Sequence, residues 1–498
     1  MPTDLYILIH NLRVTETRYI ISKGRKEEGL ETDYLKIFKA IKNLEAYKEE
    51  EYSEAINKLK LKGAIETKKH YLFLWILRQL REFYYTEYSE ENKLVFINIL
   101  ISRSLYQAAY KMLKTVKQVF IESEKYDKLF SLLEMELILS RFIPQLNPSV
   151  ILSELENYSL IYSQNQTYQS LRFQFRKTLD KYVFIRTKEQ KASIDKIMSH
   201  PFLKTKHVPV GFKNNYLYNL IHYWNHGSNN NWQKAYIYAS NNFKLIISND
   251  INEVHFPEET ISSAYNMIVV SITNRTQSYK PALKYLNELM RFENSERLKN
   301  EAQFYYHLSQ LILINRQGMN KFSNSAIREA ENYLVYSEQK MDIKRINNLK
   351  FDLAKAFFNI KDFKKSFLLF KQICDSATKD VFSIDFISFS RILFCLTCYE
   401  RNEIELMVHF AKSTSKFLIK NNSYHQFEKR ILRFIRYELS KKESLTPKDL
   451  NESFTLLKTD LEDVFRLDFE KSVKLYFDFD SWIAQKIINP KEPIKIFV

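Results

Sequence analysis

Residues Leu353 to Ile373 read LAKAFFNIKDFKKSFLLFKQI, and the reading of this stretch decides the fold. Leu353, Ala354 and Phe357 fall on one face at helical spacing. Ala354 is small where a partner helix must come close. Asn359 to Asp362 make the turn, and Lys361 stands where glycine would be easier. Phe363, Ser366, Phe370 and Ile373 then form the facing stripe of a second helix. The stretch reads as a helical hairpin. A single hairpin cannot bury both of its faces, so it requires neighbours.

The spacing runs large, small, aromatic, then aromatic, small, aromatic, apolar. It resembles a tetratricopeptide repeat (TPR) without that family's Trp and Gly. Weaker copies recur along the chain. Phe96, Ile97 and Leu100 mark a first helix, and Tyr106, Ala109, Leu113 and Val116 its partner. A long helix is expected over Glu122–Phe142, ended by Pro144 and Pro148. Separate helices are expected over Ser149–Gln164 and Tyr168–Arg186. Pro201, Pro209 and Gly211 interrupt the pattern within Met198–Phe212. Beyond them, Tyr216–Trp224 pairs with a helix opened by Trp232, Ala235 and Ala239, across a polar loop at His226–Asn231 in which Gly227 suggests the helix end. Ile261–Thr273 pairs with Tyr279–Phe292, Phe304–Ile314 with Ala326–Ser337, and Phe386–Tyr399 with Ile404–Lys420. A basic helix follows over Phe427–Leu439.

Composition agrees with an all-α chain. Six glycines and ten prolines in 498 residues leave too few turn residues for a sheet-rich fold. Thirty-seven Phe and thirty-two Tyr are enough to fill the seams between helices. The formal net charge is +16, which permits an acidic partner such as nucleic acid without requiring one. Leu171–Lys213 holds eleven Lys and Arg against three acids, and Ala411–Glu443 holds nine against three. The plain reading of both is solvated helix faces; the alternative is a phosphate-tracking surface. Cys374, Cys395 and Cys398 are too few, and odd in number, for a disulfide framework, which points to a reducing compartment. The start, MPTDLYILIHNLRV, lacks a basic leader. The apolar runs Tyr71–Leu77 and Leu94–Ile101 are far shorter than the roughly 18 residues of a membrane span. The expectation is a cytoplasmic chain with no membrane partner.

Residues 1–90 are helical but do not repeat. Thr32 is expected to cap the helix that follows, Gly63 to end the next, and Thr67 to open the strongest, which begins with Lys68, Lys69 and His70. That arrangement permits a helix-turn-helix-like reading, although sixteen basic residues there face fifteen acidic ones. The expected division is 1–90, 91–200, 201–440, and a capping region 441–498 ending in YFDFDSWIAQKI, Tyr476–Ile487. YLKIFKAIKNLEAYKEEEYSEAI with TKKHYLFLWILRQLREF downstream, the central SHPFLK with the Tyr216–Ala239 hairpin, and the terminal YFDFDSWIAQKI together resemble a family of uncharacterised TPR-like helical-repeat proteins of Bacteroidota. The resemblance implies a cytoplasmic TPR-like α-solenoid of hairpins, with a non-repeat helical N-terminal region and a C-terminal cap. It supplies no catalytic residues.

Chemistry is sparse. Neither G-x-G-x-x-G nor G-x-x-x-x-G-K-[ST] occurs, which excludes the common glycine-loop nucleotide folds. Cys395 and Cys398 have zinc-like spacing, with Cys374 and His409 as further donors, but buried apolar filler is the simpler reading. His222 and His226 are four apart, with His200 and His207 upstream, and lack the Glu of an H-E-x-x-H site. SKGRK at Ser22–Lys26 is a short basic turn, and Glu49–Glu51 a solvated junction. No catalytic, cofactor or metal residues are assigned. The sequence points to a non-enzymatic scaffold binding an unidentified protein or peptide on a concave face, with Asn219, Tyr223, Tyr306 and Gln310 as contacts. The alternative is a nucleic-acid-associated regulator using Leu171–Lys213, Ala411–Glu443 or the N-terminal helices, with Arg172, Arg176, Lys177 and Lys181 on phosphate. The sequence does not specify an oligomeric state.

Overall fold

The computed structural model describes residues 2–10, 12, 14–26, 33–44, 48–59, 61, 65–84, 90–179, 184–204, 208–248, 255–291, 296–318, 323–338, 341–379, 381–441 and 446–488. Regular structure among them is helical throughout, with no strand. Thr32 and Gly63, expected at helix ends, and His207 and Lys181, expected at sites, lie outside the described residues. The chain divides into two units, Met1–Leu155 and Glu156–Val498.

The first unit contains α1 (Pro2–His10), α2 (Val14–Lys26), α3 (Asp33–Lys42), α4 (Glu49–Asn57), α5 (Ile65–Tyr84), α6 (Glu90–Ser102), α7 (Tyr106–Glu122) and α8 (Tyr126–Leu139). Leu5, Ile9, Ile20, Leu35, Phe38, Ile41, Leu72 and Ile76 form one core across α1, α2, α3 and α5. Glu49, Glu50 and Glu51 occupy the first turn of α4, where acids favour the helix dipole. Helix α7 buries Ala109, Leu113 and Val116 as expected. Phe96 does not face that seam: it is 39% exposed and Ile97 fills the position.

Helix α9 (Pro148–Leu179) corrects two expectations. Pro148 opens this helix, in the first-turn position that proline tolerates. The helix also runs unbroken where two were expected. The polar stretch Gln164–Thr167 contains neither Gly nor Pro. Two of its side chains bond in place, with Asn165 Nδ2 donating to Asn214 Oδ1 at 3.0 Å and Thr167 Oγ1 to the Ser163 carbonyl at 3.0 Å.

The second unit continues with α10 (Lys188–Met198), then hairpins α11 (Phe212–Ser228) with α12 (Trp232–Ile247), α13 (Pro257–Thr273) with α14 (Tyr279–Leu289), α15 (Glu296–Gln317) with α16 (Ser323–Ser337), α17 (Ile343–Asn359) with α18 (Phe363–Ser376), and α19 (Ile384–Glu400) with α20 (Ile404–Lys420). α21 (Gln426–Tyr437), α22 (Pro447–Arg466) and α23 (Phe479–Ile488) close it. Each first helix packs on its own partner; α13 also packs on α12 and α15, α15 on α17, and α19 on α18. The two kinds of helix differ in burial. No residue is exposed over 212–228, 259–273, 300–315, 345–358 or 384–400, all within first helices. The second helices bury one stripe only: α18 hides Ser366, Phe370 and Ile373 and leaves Leu368 half-exposed. The first helices are therefore an inner layer covered on both sides.

One turn geometry recurs. Ser104, Glu124, Asn230, Arg275, Lys361, Asn402 and Asn422 all take positive φ, between 49° and 64°. After each, the next amide donates back five residues, as from Asp362 to the Phe357 carbonyl at 2.9 Å and from Glu403 to the Cys398 carbonyl at 2.9 Å. This is a left-handed helix cap that normally favours glycine. At Asp362 the turn hands over to a new N-cap, whose carboxylate accepts from the Lys365 amide at 3.1 Å. Gly227 does not end α11; the helix runs to Ser228 and the cap falls at Asn230. The glycine makes room instead for Trp232, whose ring would lie 3.4 Å from an added Cβ.

Candidate binding face of the second unit

The chain's own segment leading into α23 touches α15, α17 and α19 in turn. Arg316 at the end of α15 donates to the Leu475 carbonyl. Lys355 of α17 donates to the next carbonyl, Tyr476, at 3.3 Å. Lys355 is buried; Asp352 holds it at 2.6 Å, and burial lowers its affinity for the proton. Phe358 meets Phe477 edge to face at 5.4 Å between centroids, and Phe389 stacks on Tyr476 at 3.9 Å. At the far end of α19, Glu400 accepts from the Trp482 indole at 2.8 Å and from Lys486 at 2.6 Å. The segment thus crosses three successive first helices. Two cations fix its backbone, and aromatic rings receive its side chains.

Next to Tyr476 lies a sealed charge cluster. Arg186 reaches Glu428 at 3.1 Å, Glu470 at 2.9 Å and Asp385 at 3.6 Å, with every side chain 6% exposed or less. The Gln426 amide donates to the second oxygen of Glu470 at 2.8 Å. Burial pushes the Glu428 carboxyl up to about 7, against the pull of Arg186, and raises Glu470 too. Three carboxylates surround one guanidinium, and the charges of Glu470 and Asp385 add to burial in raising the Glu428 carboxyl. Arg186 joins parts of the chain 242 and 284 residues apart. It also reduces the basic character read from the sequence, because the Arg186 charge counted in Leu171–Lys213 is neutralised internally.

The sequence-derived contacts are scattered in burial. Asn219 and Tyr223 are each 9% exposed within α11. Tyr306 and Gln310 are half-buried one turn apart, with Gln310 Nε2 donating to the Tyr306 hydroxyl at 3.0 Å. Arg172 is half-buried near Tyr216 and Glu259. Arg176 and Lys177 are exposed. In the first unit, Lys68 pairs with Asp33, and the buried Lys69 pairs with Glu66 at 2.8 Å over the Tyr52 ring. Two of the three basic groups opening α5 are therefore engaged inside the fold. The short basic turn expected at Ser22–Lys26 is instead the last part of helix α2, where Lys23 pairs with Glu82 at 3.0 Å.

The cysteine and histidine groups are built as packing. Cys395 and Cys398 are buried in the α19 core, and burial pushes the Cys398 thiol up to about 12. His409 is exposed on α20. His222 and His226 lie against the Tyr238 ring, at 4.6 and 5.5 Å between centroids, and burial lowers His222 to about 4. His200 Nδ1 accepts from the Phe202 amide at 3.2 Å, capping a short turn. Among the described residues no group of three or more His, Cys, Asp or Glu is placed to hold a metal, and no helix is long and apolar enough to cross a membrane. No family model, curated protein or solved structure matches this chain.

Proposed function

We propose that the chain is a non-enzymatic scaffold, a TPR-like superhelical array that holds a protein or peptide against the inner face of its first helices. The observation that carries this reading is the seat of residues 475–482 on that face. Arg316 and Lys355 grip consecutive backbone carbonyls, a contact indifferent to guest sequence. Phe358 and Phe389 add preference for aromatic side chains, much as pockets give specificity in other main-chain recognition modes. We assign the guest contacts to these four residues because each of them touches the 475–482 segment. The sealed Arg186 cluster supports a structural role for the most strongly coupled ionisable groups, since side chains 1–6% exposed leave no room for a substrate.

Selection of a random peptide library on the full-length protein tests this. Enrichment of adjacent aromatic residues followed by an acid, with binding weakened at least tenfold by Arg316→Ala at unchanged helicity, is the expected outcome. No enrichment, or enrichment indifferent to Arg316→Ala, overturns it.

A further inference from the structure

The outer side of α21 carries a feature that the peptide face does not use. Phe427, Ile431, Leu432, Phe434 and Ile435 commit one side of this helix to the core. The other side opens onto a groove of about 640 Å³ lined by Tyr424, Lys429, Arg433, Arg436, Tyr437 and Lys441, with Glu438 the single acid. Arg430 is turned away and pairs with Asp460 at 3.5 Å. The groove cations are aligned with rings: Lys429 lies 5.9 Å from the Tyr424 centroid and the Arg436 guanidinium 5.3 Å from that of Tyr437. Arg436 Nε is hidden from solvent with no hydrogen-bond partner among the described residues. Tyr437 is 51% exposed, so one ring face is open. On the preceding helix α20, Lys412, Lys416 and Lys420 are exposed one turn apart.

We infer that this groove binds single-stranded nucleic acid, with Lys429, Arg433 and Arg436 on phosphates and Tyr437 stacked on a base. Cations alone would accept any polyanion. The pairing of forked guanidiniums with an open aromatic face is the combination that takes a phosphate and an unpaired base together. A duplex hides its base faces and gains nothing from Tyr437.

The test is fluorescence anisotropy of the full-length protein with 20-nucleotide oligo-U and oligo-dT, at 50 and 200 mM salt. Unlabelled duplex and polyglutamate of equal charge serve as competitors. The inference expects binding at 50 mM salt that falls steeply with salt. Lys429→Glu with Arg433→Glu should weaken it at least tenfold and flatten the log–log salt slope by about 1.4, two phosphate contacts at roughly 0.7 each. Tyr437→Ala should weaken it about 5-fold or more at fixed salt and leave the slope unchanged. The two oligonucleotides decide between RNA and DNA as the source of the strand. No binding at 50 mM, equal competition by polyglutamate or duplex, or an unaffected Tyr437→Ala would each overturn it.

Discussion

Lys361 holds a left-handed backbone at φ 64° on behalf of the hairpin turn. That conformation costs a non-glycine residue about 1–2 kcal/mol, partly offset by the entropy glycine would lose on folding. Lys361→Gly should therefore stabilise the second unit by about 0.5–1 kcal/mol in urea denaturation, and Lys361→Val should destabilise it by more than about 1 kcal/mol. The turn position was legible in the sequence, because the apolar stripes on either side fix where the chain must reverse. The Arg186 cluster was not legible: its partners are 242 and 284 residues away, and no local pattern marks an arginine destined for burial. Its removal is asymmetric. Arg186→Met strands three buried carboxylates and should cost about 3–5 kcal/mol, whereas Glu428→Gln removes one carboxylate charge and should cost less than about 1.5 kcal/mol. The pH dependence has a definite sign. The folded Glu428 carboxyl titrates at about 7, above its ordinary value. Its stabilisation is complete below pH 4.5 and is lost as pH rises through 7. His222 and His425, lowered to about 4 by burial, act in the opposite direction and only below about pH 6.5. Between pH 6.5 and 8 stability should thus fall with rising pH by on the order of 1 kcal/mol, and Glu428→Gln should remove the fall in pH-resolved urea melts.

Among the elements, α19 is the most revealing. It is buried from Ile384 to Tyr399 apart from a half-buried Arg391, which a helix achieves only when neighbours cover it all round. Cys395 and Cys398 then behave as small apolar side chains with protonated thiols. Thiol labelling at pH 8 should modify them only at the rate of unfolding; rapid labelling in the native protein would contradict this packing. Helix limits in this part of the chain were well marked in sequence. Helix α20 runs from Ile404 to Lys420 as its periodicity predicts, because a one-stripe amphipathic helix between two capped turns leaves little freedom. The inner helices were harder to bound, since uniformly apolar faces give no phase. Helix α9 was misread for a different reason: a polar stretch resembles a loop until its side chains are found bonded across to α11 and back to α9 itself.

Across the second unit, first helices form an inner layer and second helices a half-exposed outer one. The terminal segment YFDFDSWIAQKI was expected to cap the last repeat, and its Trp482 does pack against Tyr399 and Phe454 beside the last hairpin. Its leading residues go further and reach α15 and α17 through Arg316 and Lys355. Composition and periodicity carry no information on that path, because the contacts are to backbone carbonyls and to rings that look like ordinary core. If the inner face is a peptide seat, its own segment competes with any guest, and weakening the segment should raise guest affinity. The most direct measurement is titration of a labelled peptide spanning residues 467–487 into the full-length protein, wild type and Phe477→Ala, with helicity confirmed for both. We predict saturable binding that is at least tenfold tighter for Phe477→Ala and that Arg316→Ala reduces in either background. Absence of binding to both proteins, or equal affinity for the two, would contradict the account.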